Sequence, residues 1–141
     1  LDKKLPKTKL AKLLYLADAA WYYHNLHSMS GLSYRKVQAG PVAEAYFRVI
    51  DELYDNGQID IDQTKDGVML IAQTIAGAKK VLSEIQPKEL ELIKSIEQKW
   101  QGKKTKELVE FTHNQLPYLY AGENDIISLG LITQENPGEY Y

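Results

Sequence analysis

The sequence predicts an α+β fold that is mainly α-helical: a helical core with a small antiparallel β-hairpin or three-stranded sheet. Three observations carry this expectation. Apolar residues recur at three- and four-residue spacing in successive segments between Leu10 and Phe111, the pattern of helices with one buried stripe. One pair of short alternating runs flanks Asp66-Gly67, as in a hairpin. The chain is 141 residues long, with 44% hydrophobic and 26% charged residues, which is enough to bury a core without staples. Residues 1–141 are therefore read as a single domain.

The first helix is expected from about Thr8 to Asn25, with Thr8 as N-cap and Pro6 just outside. Leu10, Leu13, Leu14, Ala17 and Trp21 form its stripe, and Leu16, Ala20 and Tyr23 extend it nearly all round. A helix apolar on most sides is buried on most sides, so this is the expected centre of the core. Asp18 interrupts that surface and is expected on its one wet edge, because unpaired buried carboxylates are rare. Ser28–Gly31 is turn chemistry, and Tyr34–Gln38 is a short strand.

Gly40-Pro41 reads as helix punctuation, with Pro41 at the first helical position. The helix that follows is expected to reach about Asn56, with Val42, Tyr46, Val49, Ile50 and Leu53 on one face and Gly57 as a left-handed stop. Ile59–Asp62 and Val68–Ile71 form the hairpin, joined by the loop Gln63–Gly67. Tyr34–Gln38 is a candidate third strand. Further helices are expected from Thr74 or Ile75 to Ile85, from Pro87 to Gln101, and from Thr105, as N-cap, to Asn114. Beyond Pro117 irregular structure is expected, with one short helical turn near Ile126–Leu129.

Composition excludes several function classes. There is no cysteine, so disulfides and thiolate metal sites are absent. No apolar run reaches the roughly 20 residues that a membrane helix needs. The net charge of -2 argues against wrapping nucleic acid by bulk electrostatics. Charge is unevenly placed. Lys3, Lys4, Lys7, Lys9 and Lys12 crowd the start, whereas no Lys or Arg follows Lys106. Glu107, Glu110, Glu123, Asp125, Glu135 and Glu139 lie in that last stretch, which reads either as a solvated acidic tail or as a surface for a basic partner such as an RNA-directed protein.

No catalytic constellation is visible. His24, His27 and His113 lack a HExxH frame and cysteine partners, so no metal ligands and no cofactor are assigned. Ser28, Ser30 and Ser33 lack a nucleophile-elbow frame. Ten tyrosines are many for this length, and tyrosine serves both half-buried core edges and interfaces. Leu116-Pro117-Tyr118-Leu119-Tyr120, in the acidic half, is the preferred contact segment.

The apolar run Leu13–Asp18, the pair Gly40-Pro41 before Val42, and Thr112-His113 with Pro117-Tyr118 occur in an order and at distances that resemble the Panacea, or SocA-like and GepA-like, antitoxin domain. The resemblance spans about Lys9 to Ser128. Tyr118 departs modestly from it, since the family often has Trp there. The family also carries a further N-terminal helix, so the resemblance implies that this helix is missing before Thr8. It implies a cytoplasmic, bacterial or phage-encoded binding module that neutralises a protein toxin, and not an enzyme. In one branch, similar proteins are adaptors that deliver the toxin to a protease. Asp18, Tyr34, Gly40, Pro41, His113 and Pro117 match the family pattern. Among these, Asp18, Gly40, Pro41 and Pro117 are expected to be structural. Tyr34, Arg35, His113, Leu116, Tyr118 and Tyr120 are the expected partner-binding residues or supports beneath the contact surface. The alternative is a winged-helix-like DNA-binding regulator, suggested by two helices followed by a hairpin and by the lysine cluster.

Overall fold

The computed structural model describes residues 4–135. Lys3, Glu139, Tyr140 and Tyr141, which entered the charge and tyrosine patterns, lie outside the described residues. Two small sheets and a set of helices surround one central helix, giving an α+β, mainly α architecture. In chain order the elements are β1 (Leu5–Pro6), α1 (Lys7–Asn25), β2 (Tyr34–Val37), β3 (Gly40–Ala43), α2 (Tyr46–Asp55), β4 (Ile59–Gln63), β5 (Met69–Gln73), α3 (Ile75–Glu84), α4 (Pro87–Trp100), α5 (Thr105–His113) and α6 (Leu116–Leu119). A 3₁₀ turn, Leu129–Gln134, follows. Among the described residues no helix is long and apolar enough to cross a membrane.

α1 is the hub. It packs against β1, β3, β5, α4, α5 and the 3₁₀ turn. Its alanines explain this reach: Ala11, Ala17, Ala19 and Ala20 are buried and let neighbours approach the helix axis from several sides. Tyr15 and Leu16 fill the space between, with Ile71, Ile96, Leu108, Ile127 and Ile132 brought in from the surrounding elements. Trp100 and Phe111 close the α4–α5 corner, their ring centroids 4.7 Å apart. A half-open apolar cleft of about 160 Å³ remains between α1 and α4, lined by residues such as Leu10, Leu14 and Ile93.

Several local expectations are corrected. Pro6, not Thr8, precedes the first turn of α1, and no side chain caps it. The short β1 leads straight into the helix, and Pro6 tolerates the boundary because it has no N–H to satisfy. The third strand of the larger sheet is β1, in the order β1–β5–β4, whereas Tyr34–Val37 pairs with Gly40–Ala43 in a separate hairpin. Pro41 is thus a strand residue and does not open a helix; α2 begins at Tyr46. The reason is visible in the ladder. Glu44 N–H donates to Ser33 C=O, so alternation places Pro41, opposite Lys36, at a position that needs no ladder N–H.

Farther along, Lys104 and not Thr105 stands at the start of α5, its N–H donating to Glu107 Oε2 at 2.6 Å. Pro117 lies inside a short helix, α6, because proline fits the first turn. The late helical turn is Leu129–Gln134, and Ile126 instead forms a bridge with Arg35. The main hairpin, the start of α3 at Ile75 and the left-handed Gly57 (φ +71) agree with the sequence reading.

Candidate functional site

The motif residues converge on the β2–β3 hairpin where it meets α1, α5 and α6. Asp18 is fully buried in α1, not on a wet edge. It accepts hydrogen bonds from Ser30 N–H at 2.9 Å, Ser28 Oγ at 3.3 Å, Tyr34 hydroxyl at 2.5 Å, and Ser30 Oγ. Four donors offset the desolvation that would otherwise expel a carboxylate. The Asp18 knot ties α1 to the turn after it and to the start of β2.

Tyr34 is 1% exposed, and its ring meets Tyr15 edge-on at 5.3 Å. Burial, then the neighbouring Asp18 carboxylate, pushes the Tyr34 hydroxyl well above the usual phenol range. It stays a neutral donor and supports the surface from beneath.

Nearly two turns earlier on α1, Lys12 is fully buried. Its ammonium donates to Pro41 C=O at 3.0 Å. Desolvation lowers its pKa to about 8. Gly40 sits directly against this stem with φ +103; a Cβ there would fall 2.9 Å from Lys12 Cε and 3.1 Å from Thr112 Oγ1. Thr112 is itself fully buried. The Gly-Pro pair and the threonine of the Thr-His pair therefore meet around one lysine.

The neighbouring His113 stacks on Tyr118, with centroids 4.5 Å apart and planes 19° from parallel. The ammonium of Lys36 lies 4.6 Å from the Tyr118 centroid, a cation–π contact. It also donates to Ala121 C=O at 3.1 Å. Tyr118 hydroxyl donates to Val37 C=O at 2.7 Å. Burial and the Glu123 charge both push that hydroxyl's pKa up. Leu116 N–H donates to the Glu135 carboxylate at 2.5 Å, fixing the entry to α6.

The outer edge of β2 is closed by residues 124–127. Ile127 N–H donates to Tyr34 C=O, Lys36 N–H to Asp125 C=O and Asn124 N–H to Lys36 C=O, at 2.8 to 3.0 Å. Arg35 is exposed, pairs with Glu44 at 2.6 Å and donates to Asn124 C=O at 2.6 Å. Within the stitched segment Ile126 is 49% exposed, and at the end of α6 Leu119 and Tyr120 are 53% and 75% exposed. Exposed Glu123 and Asp125 sit in the same segment.

The fold thus brings Tyr34, Arg35, His113 and Tyr118 together around one hairpin, with Asp18, Gly40, Pro41 and Pro117 as its frame. Tyr34 and Tyr118 are buried, Leu116 and His113 are half-buried, and Arg35 and Tyr120 reach solvent. Lys36 and Ile126 were missed. The alternation of β2 held the signal for Lys36, which is two residues from Tyr34 and at the same kind of ladder position. Ile126 carried no signal of its own.

The described lysines of the cluster, Lys4, Lys7, Lys9 and Lys12, all make contacts within the molecule. Lys4 pairs with Asp62, Lys7 lies 4.8 Å from the Phe47 centroid, and Lys9 donates to Lys103 C=O at 2.6 Å, alongside Lys12 on Pro41. His24 and His27 are exposed near the end of α1. Among the described residues no group of three or more His, Asp or Glu side chains is arranged to hold a metal ion.

Residues 10–117 match the family model described as antitoxin SocA-like, Panacea domain. No curated protein and no solved structure matches the chain.

Proposed function

This chain belongs to the SocA-like antitoxin family with a Panacea domain, and from that premise we propose that it neutralises a protein toxin by direct association. The contact face in this reading is the rim of Leu119, Tyr120 and Ile126, flanked by Glu123 and Asp125 and bordered by Arg35. One observation carries it: Leu119, Tyr120 and Ile126 face solvent in a stretch of chain without Lys or Arg, and the segment that holds Ile126 is tied to β2 by backbone hydrogen bonds. Aromatic anchors ringed by charge are the usual make-up of a specific interface. The acidic surround selects a basic partner, and a toxin that acts on RNA is basic because phosphate contacts demand Lys and Arg. Such a protein acts in the cytoplasm of a bacterial cell, with the toxin encoded beside it.

The DNA-binding reading loses its main support. The lysines that suggested it, from Lys4 to Lys12, are occupied by Asp62, Phe47 and backbone carbonyls. The test is co-expression with the product of the adjacent gene, followed by pull-down. A stoichiometric complex that restores growth supports the proposal. Toxicity unrelieved by co-expression overturns it. Faster loss of the partner in the presence of this chain would identify a protease adaptor.

A further inference from the structure

Among the described residues, strand edges are closed or blunted with one exception. The outer edge of β2 is bonded to residues 124–127. β3 carries Pro41, whose carbonyl is taken by Lys12. β1 is two residues long and ends in Pro6. The exception is β4.

Its hydrogen-bond phase follows from its two ends. Thr74 N–H donates to Gln58 C=O at 3.1 Å, and Thr64 N–H donates to Val68 C=O at 2.9 Å. Bonded pairs alternate in an antiparallel ladder, so the bonded pairs between these ends are Asp60–Ala72 and Asp62–Leu70. Ile59, Ile61 and Gln63 therefore direct their N–H and C=O groups away from β5. Among the described residues these backbone groups have no partner.

The side chains alternate as well. Ile59 and Ile61 pack against the core, whereas Asp60, Asp62 and Gln63 are exposed. Lys4 compensates Asp62, but Asp60 has no ion pair among the described residues. Asp66 in the turn and Asp51 and Asp55 on α2 are also exposed.

We infer that the β4 edge docks an extended segment of a partner protein in which basic and apolar residues alternate, added as a fourth strand of the sheet. Backbone hydrogen bonds from Ile59, Ile61 and Gln63 supply the attachment. Basic side chains of the segment fall beside Asp60 and Asp62, and its apolar side chains extend the face of Ile59 and Ile61. A second copy of this chain does not fit, because pairing two β4 edges sets aspartates against aspartates. The inference does not depend on the antitoxin reading, and a failed toxin pull-down leaves it standing.

The test is a nitrogen-15 NMR titration of the whole chain with a capped peptide of alternating Lys and Val, against its Glu and Val counterpart. The Lys peptide is expected to shift and protect the amides of Ile59, Ile61 and Gln63, with affinity that falls as salt rises. The Glu peptide is expected not to bind. Gln63→Pro removes one outward N–H and leaves the ladder to β5 intact, so it should weaken binding about fivefold. Asp60→Lys should shift preference toward the Glu peptide, and it decides the matter if Gln63→Pro unfolds. Equal binding of both peptides, shifts confined to another surface, unchanged preference in Asp60→Lys, or dimerisation through β4 would overturn the inference.

Discussion

At the residue scale, Lys12 shows how burial sets chemistry. Its ammonium is fully buried, with a backbone carbonyl and no carboxylate as its hydrogen-bond acceptor. Its folded pKa, about 8, lies below the ordinary lysine value of 10.5. The unfolded chain therefore holds a proton that the folded chain releases between these values, and stability rises with pH across that window. The rise is of order 3 kcal/mol. Above about pH 10 it is opposed by Tyr15, Tyr34 and Tyr46, whose burial raises their pKa values, so that stability tied to their neutral form is lost there. Lys12→Met should abolish the rise from pH 8 to pH 10 in urea unfolding midpoints. A midpoint profile identical to that of the parent would count against this account.

Gly40 makes a second residue-scale prediction. Its φ of +103 and the contacts a Cβ would make with Lys12 and Thr112 leave no room for a side chain. Gly40→Ala should cost about 2–4 kcal/mol through backbone strain and displacement of Lys12. Thermal unfolding measures it, and a Tm within a degree or so of the parent's would refute it.

At the element scale, α3 stands apart. Among its residues only Gly77 is buried, and Ile75 and Leu82 are 80% and 72% exposed. A Cβ at Gly77 would fall 2.1 Å from Gln58 C=O, so close backbone approach is what seats this helix. Amides of α3 should exchange hydrogen faster than those of α1, because local opening is easiest where few apolar contacts hold an element. Gly77→Ala should accelerate exchange in α3 further without altering α1. Uniform protection across both helices would contradict this.

Elements also explain where local reading succeeded. The β4–β5 hairpin was legible because alternation and Asp66-Gly67 both lie within one short stretch, and Gly67 adopts φ +86. The β2–β3 hairpin was not, because proline's fixed φ suits both a helix start and a strand edge. What decided it was the strand pairing, which places Pro41 where no ladder N–H is needed, and Lys12, far away in sequence, takes the Pro41 carbonyl.

At the scale of the whole molecule, the acidic rim predicts a salt-sensitive interface. In the proposed contact face Tyr120, 75% exposed, is the largest side chain. Tyr120→Ala should leave the Tm unchanged and weaken toxin binding about 30-fold, within the range of about 2–4 kcal/mol that hot spots show. Raising salt from 50 to 300 mM should slow association more than it speeds dissociation. Calorimetry and surface plasmon resonance measure both, and unchanged affinity in Tyr120→Ala would move the interface off this rim.

The sequence by itself determined the mainly helical class, the central place of α1, the β4–β5 hairpin and the motifs that resemble an antitoxin domain. These depend on periodicity and on turn residues, which act over a few positions. Only the tertiary structure decided that Asp18 is buried, that Lys9 and Lys12 are buried with it, and that Gly40-Pro41 continues a hairpin. Each depends on donors or acceptors brought from distant positions: Ser30 and Tyr34 to Asp18, Pro41 to Lys12, Lys103 to Lys9. A buried charge is tolerable only once its partners are in place, and no local pattern records which partners will arrive.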